Sequence, residues 1–224
     1  MKIIVLHGDD ERKLYDRLSK FVEIARNRSW EVAYLDDRTH FIQEELSSPS
    51  LFGTERFFII RDTSRLGKKE LDWITKSSAT LPGNLIIYHE GYLNQTLLKS
   101  LPKETKIEEF KLPVILWNFL DGLTPGNSER SIKQFHKIIE KDAPEFVFTL
   151  ISKLFRDLYW VKIDPVSIPY PSWRVGKLKS QASKFTIEQL KYLIEKLSEI
   201  DIKVKTSKAD LTNELDLLII KQLE

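Results

Sequence analysis

An α/β unit with a parallel sheet, followed by an all-α unit, is the fold class this sequence predicts, on three observations. Compact apolar runs rich in β-branched residues recur through the first half and alternate with helix-period stretches. The runs are apolar on both faces, as strands buried inside a parallel sheet are. After Pro113 the strand signals stop, and helix starts follow one another to the end of the chain. The boundary is drawn there, giving an N-terminal unit of residues 1–112 and a C-terminal unit of residues 113–224.

Each element follows from local pattern. Lys2 to His7 is the first apolar run, and Trp30 to Leu35 is the second. Glu55 to Arg61 ("ERFFIIR") and Asn84 to His89 ("NLIIYH") follow, with a weaker strand from Thr105 to Phe110. Between the first two lies a helix over Asp10 to Arg28, with Leu14, Leu18, Phe21 and Ala25 on one stripe. In the second half Ser128 is placed to cap "ERSIKQFHKIIEK", and Pro144 to open "PEFVFTLISKLFRDLYWVK". The connector "IDPVSIPYPS" has too many prolines to be helical. Thr186 and Gln189 form a capping box for a helix carrying Ile187, Leu190, Ile194 and Leu197 on one face. In that helix Asp201 follows the apolar stripe, with Lys205 four residues on, and reads as a partly buried structural pair. A last helix runs from about Ala209 to Leu223, and its Leu211, Leu215, Leu218 and Ile219 are expected to pack within the bundle.

Composition narrows the function classes. With 224 residues and 42% hydrophobic content the chain can bury real cores. It has no cysteine, so neither a disulfide framework nor thiolate chemistry is available, which suits a cytoplasmic protein. No apolar run reaches the length of a membrane span, and no membrane association is expected. The net charge is +2, and the first 112 residues hold 18 basic and 18 acidic groups, so any basic site must be local.

The first strand–helix turn, "HGDDERKL", stands where a phosphate loop would. A Walker loop needs several glycines to wrap phosphates and a Lys-Ser/Thr for charge and magnesium. This turn offers one glycine and sets Asp9, Asp10 and Glu11 at the helix N-terminus, where they suit a cap and repel an anion. His7, His40, His89 and His136 lack zinc-site spacing, and "LDDRTH" reads as a cap. No metal, cofactor or catalytic residue is expected. A nucleotide-dependent α/β enzyme with a degenerate phosphate loop, and a plain protein-interaction module, are readings the pattern leaves open.

Two stretches invite a partner. In "SSPSLFGTERFFIIRD", Leu51 and Phe52 sit between Pro49 and Gly53, just before a strand that already has Phe57, Phe58, Ile59 and Ile60. The pair is either folded back into the core or held out for another protein. From Pro165 to Ile187 the chain carries Arg174, Lys177, Lys179 and Lys184 and no acid. On a helix Arg174, Lys177, Gln181 and Lys184 share a face bordered by Trp173, opposite Val175, Leu178, Ala182 and Phe185. That face is either a nucleic-acid phosphate contact or a solvated surface with Trp173 in the core.

"VLHGDDE", "LSSPSLFGTERFFIIRD" and above all "WRVGKLKSQASKFTIEQLKYLIEKLSEIDIKVKTS" resemble the delta subunit of the bacterial DNA polymerase III clamp loader. The resemblance implies an AAA+-like N-terminal domain without a Walker loop, and a C-terminal domain that mediates oligomerisation in the loader's collar. It also implies a non-catalytic accessory subunit of the polymerase holoenzyme, which binds and opens the sliding clamp (beta) while others hydrolyse ATP. The implied partners are the tau/gamma ATPase subunits, delta prime and primed DNA, in the cytoplasm at the nucleoid. Leu51 and Phe52 match the family's clamp-binding pair; Trp173, Arg174, Lys177 and Lys179 are the residues expected at DNA. The helical lid that family members carry between the two domains is missing, since "IEEFKLPVILWNFLDGL" runs straight from the last strand into the bundle.

Overall fold

β1 (Lys2–Gly8) is buried along all but its first and third residues, because it lies inside a sheet with helices on both faces. The structure, a computed structural model, describes residues 1–36, 41–50 and 54–223, without the side chains of 222 and 223. Two compact units are present, Met1–Leu112 and Pro113–Glu224.

In the first unit β1 is joined by β2 (Glu31–Tyr34), β3 (Arg56–Ile60), β4 (Asn84–Glu90) and β5 (Lys106–Phe110). The strand order is β2-β3-β4-β1-β5 and every pairing is parallel. Parallel neighbours require crossovers, and these are α1 (Glu11–Asn27), α2 (Ile42–Ser47), α3 (Lys68–Ser77) and α4 (Gln95–Ser100). α1 packs Leu14, Leu18, Val22 and Ala25 against Leu6, Phe57, Ile59, Ile86 and Tyr88. Val22 joins the expected stripe, and Phe21, half-buried, packs against the same cluster with the Arg17 guanidinium 4.3 Å above its ring. On the opposite face Ile42 and Leu46 of α2, and Leu71 and Ile74 of α3, pack against Ile3, Val5, Phe58, Ile60, Leu85 and Ile87.

The second unit is helical throughout its described residues: α5 (Val114–Gly122), α6 (Ser128–Ile139), α7 (Pro144–Ile163), α8 (Ser172–Ala182), α9 (Ile187–Lys205) and α10 (Leu211–Leu223). Residues 111–113 alone separate β5 from α5, and no lid intervenes. Phe119 stacks on Phe135, and Phe155 meets Phe185 edge-on, with centroids 6.1 and 6.0 Å apart. α10 buries Leu211, Leu215, Leu218 and Ile219, as expected.

Three local expectations change. α6 is preceded by Asn127 as its cap residue, with Ser128 already helical; Asn127 Nδ2 donates instead to Gly122 O. α9 buries Leu190, Leu193, Leu197 and Ile200, so its inner stripe is rotated from the expected one. Asp201 and Lys205 pair at 2.7 Å in water, with side chains 40% and 73% exposed, and not in a partly buried seam. The capping box of Thr186 and Gln189 is present, with bonds of 3.1 and 2.8 Å. No described helix is long and apolar enough to cross a membrane.

Candidate partner-binding site

The carboxyl end of the sheet is where an α/β fold presents ligands, and here it is filled by the protein's own groups. Gly8 turns at φ 139° and exchanges two backbone hydrogen bonds with Gly91, at 2.8 and 2.7 Å. A Cβ at Gly8 would lie 2.0 Å from Phe110 O, so only glycine fits. Asp9 is buried and accepts from Leu112 N at 2.7 Å and from Tyr92 Oη at 3.0 Å. Asp10, also buried, caps α1 by accepting from Lys13 N at 3.1 Å and pairs with Lys13 Nζ at 2.8 Å. The turn therefore meets an incoming phosphate with two carboxylates, one of which already holds a helix N–H. These residues do not fit a nucleotide phosphate.

The strand-end histidines are tied into the same framework. His7 Nδ1 accepts from Leu93 N at 3.5 Å, and His89 Nδ1 shares a 2.9 Å hydrogen bond with Thr63 Oγ1. Burial lowers both pKa values, and His7 lowers that of His89 further. Among the described residues no group of three His, Cys, Asp or Glu side chains is arranged to hold a metal.

Leu51 and Phe52 lie outside the described residues, as does Gly53. Their flanks are described and fixed. Ser50 Oγ and Thr54 Oγ1 are 3.2 Å apart. The Arg56 guanidinium donates to Ser48 O at 3.0 Å and Glu45 O at 3.2 Å. It also pairs with Glu31 at 3.1 Å and lies 4.6 Å over the Phe58 ring. One arginine thus ties the end of α2 to β2 and β3.

α8 carries the four residues expected at DNA, and the structure divides them. Trp173 is 60% exposed, and Lys179 is exposed as well. Arg174 turns inward with Gln181, whereas Lys177 is half exposed and reaches across to α5. Arg174 stacks 4.0 Å over the Tyr170 ring and comes within 3.9 Å of Asp157; Lys177 pairs with Asp121 at 2.6 Å. Gln181 Nε2 donates to Leu120 O at 2.8 Å and Leu123 O at 3.2 Å, closing the end of α5. The face expected to be open and basic is in part a seam against α5 and α7, because Asp157 of α7, Asp121 of α5 and the carbonyls at the end of α5 face it. Leu178, Ala182 and Phe185 are buried on the other side, as expected.

Asp157 was not singled out by sequence pattern. It is 1% exposed, accepts from Tyr170 Oη at 2.8 Å and Arg156 Nη2 at 3.1 Å, and anchors the connector onto α7. Burial first, then the Asp157 carboxylate, pushes the Tyr170 hydroxyl up to about 12. Its signal was an acid inside the apolar stripe of "ISKLFRDLYWV", followed by one tyrosine in the proline-rich connector.

Comparison with known proteins bears on the helical unit. Residues 167–222 match the family model described as DNA polymerase III delta subunit, C-terminal domain. That span contains the stretch from Trp173 to Ser207 that carries the resemblance in sequence. No curated protein matches the chain. Among solved structures, a Bacillus subtilis DNA clamp loader delta protein is 16% identical with a TM-score of 0.46, covering 98% of this chain and 95% of that one. A DNA polymerase III gamma subunit-related protein from Thermotoga maritima is 13% identical with a TM-score of 0.33, covering 99% and 93%. At TM-scores this low neither likeness carries weight. The helical unit thus carries, over residues 167–222, a segment similar to the C-terminal domain of the DNA polymerase III delta subunit.

Proposed function

We propose that the chain is a clamp-loader subunit of the delta type, which binds the sliding clamp and opens it during DNA replication. The observation that carries this reading is the similarity of residues 167–222 to the delta subunit's C-terminal domain. It is supported by the sequence "SPSLFG", in which Pro49 and Gly53 bracket Leu51 and Phe52 just before a strand. An apolar pair in such a sequence suits entry into a hydrophobic cleft on the clamp. Binding energy spent on a clamp conformation with a strained interface then shifts the ring from closed towards open.

ATP hydrolysis belongs to the tau/gamma partners in this reading, since Asp9 and Asp10 oppose a phosphate at the turn. The helical unit is the part that assembles with those subunits and delta prime. Exposed Ile202, Leu217 and Ile220 on α9 and α10 support that role. Primed DNA passes α8, where exposed Trp173 and Lys179 offer stacking and a phosphate contact, with Lys177 and Arg174 adjacent. The test is size-exclusion chromatography with light scattering of the full chain and the sliding clamp of its organism, without nucleotide. A co-eluting complex is expected. No association at tens of micromolar would overturn the reading, and tight binding of ATP with magnesium would overturn its nucleotide-free part.

A further inference from the structure

Asp121 is the next-to-last residue of α5, where the helix carbonyls concentrate negative charge and a carboxylate is disfavoured. Among the described residues its ionic partner is Lys177, at 2.6 Å. Both side chains reach solvent, at 36% and 50% exposure for Asp121 and Lys177. The Lys177 ammonium also lies 5.5 Å from the Trp117 ring centroid, so the cation has a fixed seat apart from the carboxylate.

We propose that the Asp121–Lys177 pair is an internal latch that a nucleic-acid phosphate opens by taking Lys177 from Asp121. This rests on the reading that α8 contacts DNA. An ammonium carries three donors, and an exposed ion pair is held weakly, whereas a phosphate oxygen is a strong charge-assisted acceptor. Trp173, exposed one turn before Lys177 on the same side of α8, supplies a stacking surface, and Lys179 a further exposed cation on that helix. Arg174 does not exchange in this way. Its side chain is 20% exposed and faces the buried Asp157 carboxylate, which would be left with the more exposed Arg156 as its cation.

The latch has a cost to affinity and a gain in selectivity. Once displaced, Asp121 remains beside the phosphate and repels it, so isolated encounters with duplex DNA are short-lived. Only DNA held by further contacts keeps Lys177.

The experiment is fluorescence anisotropy of a labelled primer–template duplex with the full chain over a range of salt. Asp121→Asn should bind at least about 3-fold more tightly than wild type, with a log–log salt slope steeper by about 0.9, one phosphate contact's worth. Its melting temperature should not fall, because a charge is removed from the helix C-terminus. Adding Lys177→Ala should cancel the gain. If Asp121→Asn binds no more tightly while Lys179→Ala with Lys184→Ala weakens binding, the latch is overturned and the DNA contact stands. A gain that survives Lys177→Ala overturns the latch as well. If none of these variants moves binding, or no variant binds the duplex, the DNA reading fails and the latch fails with it.

Discussion

His7 and His89 lie side by side in the register of β1 and β4, and burial holds both below their ordinary pKa of 6.5. Glu109 and Lys111 act on His7 in opposite senses, and Glu90 raises His89 against the pull of burial and of His7. A histidine with a lowered folded pKa is favoured neutral, so its contribution is intact above 6.5. As the pH falls below that value the unfolded chain takes up protons that the folded chain refuses, and stability is lost. Glu108, held at about 2 by the side chains of Arg17 and Lys106, contributes above the ordinary glutamate value and loses its contribution only as pH falls from there towards 2. The two windows are separate. Urea denaturation should therefore show a loss between pH 7 and 5.5 that is smaller in His89→Asn, whereas the wild-type slope in that variant would contradict the assignment.

Charge at Asp157 gives a second test on single residues. Arg174→Ala leaves a buried carboxylate with Tyr170 and the more exposed Arg156, and should cost about 2–3 kcal/mol. Lys179→Ala should stay within about 0.5 kcal/mol, as an exposed side chain does. Equal effects in thermal melts would contradict the division of α8 into a structural and a free half. Sequence pattern grouped Arg174, Lys177 and Gln181 as one basic face because periodicity shows which residues share a side of a helix. It does not show what packs there, and the partners on α5 and α7 are 17 to 61 residues away.

Among the elements, those whose signal lies in their own residues were legible. β1, β3 and β4 are continuous apolar runs because both of their faces are covered, and their bounds agree with the expected ones to within a residue or so. The Thr186 box was legible because both of its hydrogen bonds are local. The start of α6 was not, because Asn127 is engaged with Gly122 and makes no side-chain cap. Gln181 was legible as part of a motif but not as the group that closes α5. Gln181→Ala should cost about 1–3 kcal/mol by leaving the Leu120 and Leu123 carbonyls short of a donor. Denaturation at neutral pH reads this directly, and a neutral effect would mean that water replaces the amide.

At the scale of the whole molecule, the architecture was legible and the chemistry less so. A parallel sheet followed by helices follows from the alternation of pattern and its end at Pro113. The acids of the first turn were readable as a cap, but only the fold shows Asp9 bonded to Leu112 and Tyr92, far along the chain. The central claim is that Leu51 and Phe52 form a clamp-binding pair, and its most direct test is a calorimetric titration of the sliding clamp with wild type and with Leu51→Ala, Phe52→Ala. Two hot-spot side chains of about 2 kcal/mol each correspond to a loss of at least about 100-fold in affinity, with the thermal melt unchanged. Clamp affinity equal to wild type, or a double variant that no longer folds, would contradict the account.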